Sequence, residues 1–125
     1  MSPFAYHLRK IRSERQLQQK ALAELIGCEQ IYLCALETDA KVPPQGKKLL
    51  QLIKKLKLSP VEETELLFAA EKSKRLIRLP QKGSIELFEI CHELEEQLPN
   101  ISDIQLKMIG LALQFKAKEM GATKM

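Results

Sequence analysis

Residues 19–37 read QKALAELIGCEQIYLCALE, apolar enough for one buried helix, yet Gly27 stands at the middle and the small Ala23 lies one helical turn before it. A helix that turns sharply needs a residue with positive φ at its exit, and glycine takes that conformation without steric cost. The stretch is therefore expected to be two short helices, roughly 19–26 and 29–38. Ala23 is the small residue that lets them cross closely. Leu22 and Ile26 from the first helix, and Leu33 and Leu36 from the second, are placed to share a core. This is the spacing of a helix-turn-helix, whose second helix keeps one face free for a major groove about 12 Å wide.

Outward from that stretch the chain continues to read as helix. Ser2-Pro3 is an N-cap followed by proline at the first helical position, and Phe4, Leu8 and Ile11 share one face of a helix running to about Arg15. Pro43-Pro44 and Gly46 mark a loop, after which Leu49, Leu50, Ile53 and Leu56 form the apolar face of a fourth helix. Ser59-Pro60-Val61-Glu62 starts a fifth, with Leu66, Leu67 and Ala70 inward and an extension to Leu76 allowed by the pattern. Residues 79–83, LPQKG, are the best linker. Ser84 caps a sixth helix with Leu87, Phe88, Cys91, Leu94 and Leu98 inward, and Glu86, Glu89, Glu93 and Glu96 striped along another face. Pro99-Asn100 ends it. Ser102 to Gln105 is a second capping box, with Ile101 placed to staple onto Leu106, and a last helix is expected to about Glu119. No strand-like alternation is visible, so the chain is expected to be all-α.

Of the 125 residues, 45% are hydrophobic and 29% charged, which suits a globular protein with a core. No apolar run approaches the roughly 18 residues of a membrane span. The N-terminus lacks the apolar region of a secretory signal. The odd cysteine count, at 28, 34 and 91, argues against a disulfide framework and for a reducing, cytoplasmic setting. Residues 1–60 hold eleven bases against five acids, whereas residues 84–125 hold four against seven, so the front half is the one expected to meet a polyanion. Cys28, Cys34, Cys91 and His92 match no zinc spacing, and no metal or cofactor is expected. The absence of a phosphate loop, nucleophile motif or paired acids argues against an enzyme.

Gln19-x-x-Leu22-Ala23-x-x-x-Gly27, followed by Leu33-x-x-Leu36-Glu37 and Pro43, resembles the Cro/repressor type of helix-turn-helix, the Xre family. Leu8-Arg9-x-x-Arg12 is similar to that family's first helix, and Leu49 to Pro60 to its fourth helix and the start of its fifth. The likeness covers residue 4 to about 70. It implies a five-helix, repressor-like DNA-binding domain over 1–78; beyond the linker, the caps and apolar spacing alone point to a C-terminal helical hairpin over 84–125. Three positions depart from the family: Glu29 stands where serine or threonine is common, Asp39 where glycine is, and Cys28 where valine is usual, a residue that can fill a similar buried volume. Glutamate is a weaker N-cap, whereas aspartate tolerates positive φ better than most residues.

The resemblance implies roles for particular residues. Glu29, Gln30, Ile31 and Ala35 would read bases, Gln30 by a bidentate amide pair with adenine and the apolar pair on thymine methyls. Gln19, Thr38, Lys41, Lys47 and Lys48 would hold phosphates. Tyr32 would either do the same or pack as a half-buried aromatic. Arg12 and Glu37 would form a structural ion pair that orients the reading helix. In the rear half, Ile104, Met108, Leu111 and Phe115 recur at helical spacing, with Ile109, Leu113 and Met120 on an adjoining face and Gly110 between them. That surface suggests dimerisation, or else packing back on the front domain. The expected function is a repressor that binds a palindromic site in double-stranded DNA as a homodimer. The alternative is an antitoxin-like module whose rear helices bind a partner protein.

Overall fold

A computed structural model describes residues 1–115. Among them the structure is entirely helical: α1 (Pro3–Glu14), α2 (Gln19–Ile26), α3 (Gln30–Glu37), α4 (Lys47–Leu56), α5 (Pro60–Glu71), α6 (Ile85–Gln97), a 3-10 turn (Leu98–Asn100) and α7 (Asp103–Gln114). The chain divides into two compact units, one spanning Met1–Ile77 and one beginning at Arg78.

Side-chain caps set two of the five helix starts in the first unit. The Ser2 hydroxyl accepts from the Ala5 N–H at 3.2 Å, and Pro3 fills the first position, where its missing N–H costs nothing. Ser59 and Glu62 complete a reciprocal capping box at α5. Gly27 ends α2 in the left-handed conformation at φ 73°, ψ 35°. The Cys28 N–H returns to the Ala23 carbonyl and the Gly27 N–H to Glu24, the Schellman pattern that satisfies carbonyls at a helix exit.

The core of this unit draws on every helix from α1 to α5. Phe4 and Leu8 of α1, Leu22 of α2, Leu33 and Leu36 of α3, Leu56 of α4 and Leu66 of α5 are its fully buried large apolar side chains. α1 packs on α3 and α5, and α2 packs on α3 and α4. Ala23, 2% exposed, is buried as expected of a residue in the α2–α3 crossing.

Two details of this unit differ from the sequence expectation. On α4 the inward set is Leu49, Leu52, Ile53 and Leu56, and Leu50 is 58% exposed. The observed i, i+3, i+4, i+7 set makes one continuous stripe, from which Leu50 lies rotated away. α5 stops at Glu71 rather than reaching Leu76. Just beyond its end the buried Ser73 hydroxyl donates to the Ala69 carbonyl at 2.6 Å and accepts from the Phe4 N–H at 2.9 Å. That bond satisfies an α1 donor that has no partner within its own helix.

The second unit is built differently. Ser84 caps α6 and the Ser102–Gln105 box caps α7, yet neither helix contains a buried residue among those described. Leu87, Cys91 and Leu94 are only half-buried, and Phe88 and Leu98 are exposed, so the inward face expected of α6 is not enclosed. Leu106 is 52% exposed. Gln105 Nε2 donates to Gln97 Oε1 at 3.2 Å across the joint. Beside it a cleft of about 280 Å³ opens between the helices. Two short helices have too little shared surface to make a core. A Cβ at Gly110 would meet nothing within 4 Å among the described residues. Residues 116–119 of the expected last helix, and Met120, lie outside the described residues.

Candidate nucleic-acid interface

α3 carries the candidate surface. Its inner side, Leu33, Leu36 and Glu37, is buried. Its outer side presents Gln30, Ile31, Cys34 and Thr38 to solvent, with Ile31 82% exposed. Glu29, just before the helix, is also exposed, and Ala35 is half-buried at the edge of the face. Thr38 Oγ1 donates to the Cys34 carbonyl at 2.8 Å and closes the last turn.

What fixes this helix is a buried carboxylate. Arg12 Nε donates to Glu37 Oε2 at 2.8 Å and Nη2 to Oε1 at 3.0 Å, a two-pronged pair with Glu37 only 1% exposed. Arg12 Nη1 also donates to the Leu17 carbonyl, and Gln19 Nε2 donates to Glu37 Oε1, each at 3.0 Å. One carboxylate thus ties α1, the α1–α2 loop and the start of α2 to the end of α3. Fork-to-carboxylate geometry of this kind sets orientation as well as energy. The Gln19 amide is occupied here by Glu37 and stands at the first position of α2, where free backbone N–H groups favour an anion.

The opposite end of α3 is held less firmly. Glu29 occupies the N-cap with φ −80° and ψ 149° and makes no side-chain capping bond. A serine there would cap the free N–H groups, and capping side chains are worth about 0.5–2 kcal/mol. Glu29→Ser is therefore expected to raise stability by about 0.5–1 kcal/mol, read as a higher urea midpoint with unchanged slope.

Cations border the exposed face. Lys41, Lys47 and Lys48 are all solvent-exposed. Lys41 Nζ lies 5.9 Å from the centroid of the half-buried Tyr32 ring. Burial pushes the Tyr32 hydroxyl above its ordinary pKa, so this side chain is a neutral donor at physiological pH. Lys55 was not picked out as a contact from sequence, where it was one of several bases on α4. Its Nζ lies only 3.3 Å from where a Cβ on Gly27 would stand. Burial raises the Cys28 thiol, with Lys55 opposing and Glu29 reinforcing the shift.

Asp39 provides a second lock that was not foreseen. It adopts φ 65°, the left-handed turn after α3. Its Oδ2 accepts from the Ser2 N–H at 2.7 Å, its carbonyl accepts from Arg75, and Arg75 stands 3.9 Å from Oδ1. Hydrogen bonds from the Ser2 side chain, aided by its backbone N–H, hold the Asp39 carboxyl below the usual carboxylate range, with desolvation opposing. A depressed carboxylate contributes stability that is whole above its unfolded pKa of about 3.9 and is lost as pH falls through the lower folded value. The stability difference between the native chain and Asp39→Asn should thus be constant above about pH 4 and shrink below it, as thermal melts across that range would show.

Among the described residues no three potential metal-ligating side chains cluster. Comparison with protein-family models, curated proteins and solved structures finds no match to this chain.

Proposed function

We propose that the first unit is a Cro/repressor-type helix-turn-helix domain, that α3 is its reading helix, and that the protein is a sequence-specific regulator of transcription acting as a repressor. One observation carries the reading: a short helix anchored on its inner side by Arg12 and Glu37, with an uncommitted outer face of Gln30 and Ile31 bordered by exposed lysines. A helix of that kind fits the major groove, and its fixed seat supplies the orientation that base reading needs.

In this reading the Gln30 amide pairs with adenine N6 and N7, and Ile31 and Ala35 lie against thymine methyls. Glu29 meets a cytosine amino group, the partner that a carboxylate in a groove requires. Gln19, Tyr32, Thr38, Lys41, Lys47 and Lys48 hold the sugar–phosphate backbone on either side. A homodimer places two such helices about 34 Å apart on a palindromic site, and occupancy of that site blocks the polymerase. Gln30→Ala should cost about 1–3 kcal/mol at one base step and relax choice there, while Lys47→Ala should weaken every sequence alike and lower the salt slope by about one. Site selection with both variants checks this; uniform losses from both would overturn the assignment.

The uncovered apolar residues of α6 and α7, beside the acidic stripe of α6, favour a second reading. In it the protein is antitoxin-like and the rear unit binds a partner protein. Co-purification of such a partner with the chain would support it.

A further inference from the structure

The second unit leaves too much apolar surface uncovered to be complete by itself. From Ile85 to Phe115 eleven large apolar side chains are at least 36% exposed. On α7 they occupy two sides: Ile104, Met108, Leu111 and Phe115 on one, and Leu106, Ile109 and Leu113 on another. Asp103, Lys107, Gly110 and Gln114 mark out one non-apolar side, and Gln105 interrupts the apolar surface on the other. A helix apolar over most of its circumference belongs inside a core, with neighbours on several sides. α6 supplies one neighbour, and the cleft between the two is lined by Ile90 and Leu94 of α6 and Met108 and Ile109 of α7.

We propose that a second copy of this chain closes that cleft, each copy laying its α7 along the opening between α6 and α7 of the other to form a two-fold four-helix bundle. The area reaches the lower part of the range for such a dimer. At about 60–120 Å² for each large aliphatic side chain, scaled by exposure, covering these residues removes roughly 400–800 Å² per copy. A standard stable interface buries about 800 Å² per partner. A two-fold contact also needs a self-complementary surface, and here the apolar helix and the apolar cleft lie on the same chain. Of the acidic stripe, Glu93 lines the cleft with Gln97 and Gln105 and stays hydrated at its rim, while Glu86, Glu89 and Glu96 lie on α6 outside the lining. The inference deepens the regulator reading and rests on it for the expectation of two-fold symmetry.

Sedimentation equilibrium of the full chain, without DNA, tests it. The native protein should be dimeric at about 10 µM, as interfaces of this size commonly are. Met108→Lys and Ile90→Glu, on opposite walls of the cleft, should each raise the dimer Kd at least ~100-fold, because each puts two added charges into a largely apolar interface. Leu50→Glu, on an exposed apolar residue of the first unit, should leave it unchanged. Mixing the Met108→Lys and Ile90→Glu chains should restore dimers to within about tenfold of the native Kd, since the mixed dimer keeps one native contact and pairs the two charges at the other. Recovery on mixing also shows that each variant still folds. A native chain that stays monomeric, dimers indifferent to both changes, or no recovery on mixing would each overturn the bundle. So would a monomeric chain that holds a different protein through these residues. A monomer that still prefers one DNA half-site would overturn the bundle and spare the regulator reading. A dimer with no DNA preference would support the bundle and remove that reading.

Discussion

Replacing Arg12 with alanine is expected to lower the stability of the first unit by about 3–5 kcal/mol, the usual cost of stranding one partner of a buried ion pair. The asymmetry of the pair sets the size of the effect. Arg12 is 22% exposed and Glu37 only 1%, so the change leaves the charge that water cannot reach. Gln19 would then be its one remaining side-chain donor. The same change frees the Leu17 carbonyl and loosens the α1–α2 loop. Arg12→Lys should recover only part of the loss, because an ammonium cannot reproduce the two-pronged contact. Arg12→Met combined with Glu37→Met should come close to native stability, since removing both charges removes the desolvation cost as well. Urea denaturation of the three variants separates these outcomes. A loss below about 1 kcal/mol for Arg12→Ala would mean that the pair behaves as a surface bridge and does not fix α3.

Leu33→Ala is expected to cost about 2–5 kcal/mol, from lost transfer energy and from the cavity left behind. Leu33 is 0% exposed and belongs to the cluster that includes Leu22, Ile26 and Leu36. Two residues earlier, on the opposite side of the same helix, Ile31 is 82% exposed. Ile31→Ala should therefore change stability by no more than about 0.5 kcal/mol. If α3 reads DNA, the consequences for binding differ in kind. Leu33→Ala would lower affinity for every sequence by loosening the seat of the helix, whereas Ile31→Ala would lower it only where a thymine methyl is lost. Thermal melts paired with titrations on two DNA sequences distinguish the two. Comparable stability losses from both substitutions would refute the observed sidedness of α3.

Much of the local structure was legible because its causes are local. Gly27 announced a left-handed exit because few other residues take that conformation cheaply. Ser2-Pro3, Ser59-Pro60 and Ser102 announced helix starts because a hydroxyl reaches an N–H three residues on. Where the cause lay elsewhere in the chain, the reading failed. Nothing between Glu71 and Leu76 marks a helix end, because the stop coincides with a hydrogen bond from the Phe4 N–H to the Ser73 hydroxyl, 69 residues away. Leu50 and Leu52 are chemically alike, yet the helical period alone puts Leu52 in line with Leu49, Ile53 and Leu56, a signal that the sequence carried and the reading missed.

The candidate interface divides the same way. The family resemblance implied that Gln30 and Ile31 lie on the outer face of α3, and both are exposed. The Lys55 position beside the turn, the Gln19 amide on Glu37 and the Asp39 lock on Ser2 came only from packing.

By itself the sequence determined where the chain turns, which segments are helical and which residues share each helical side, because capping, glycine φ and the 3.6-residue period act within a few residues. Only the tertiary structure decided which side is buried, where α5 ends and that Gln19 joins Arg12 on the Glu37 carboxylate. Those outcomes depend on desolvation and on hydrogen bonds between segments far apart in the chain, and no local pattern encodes them.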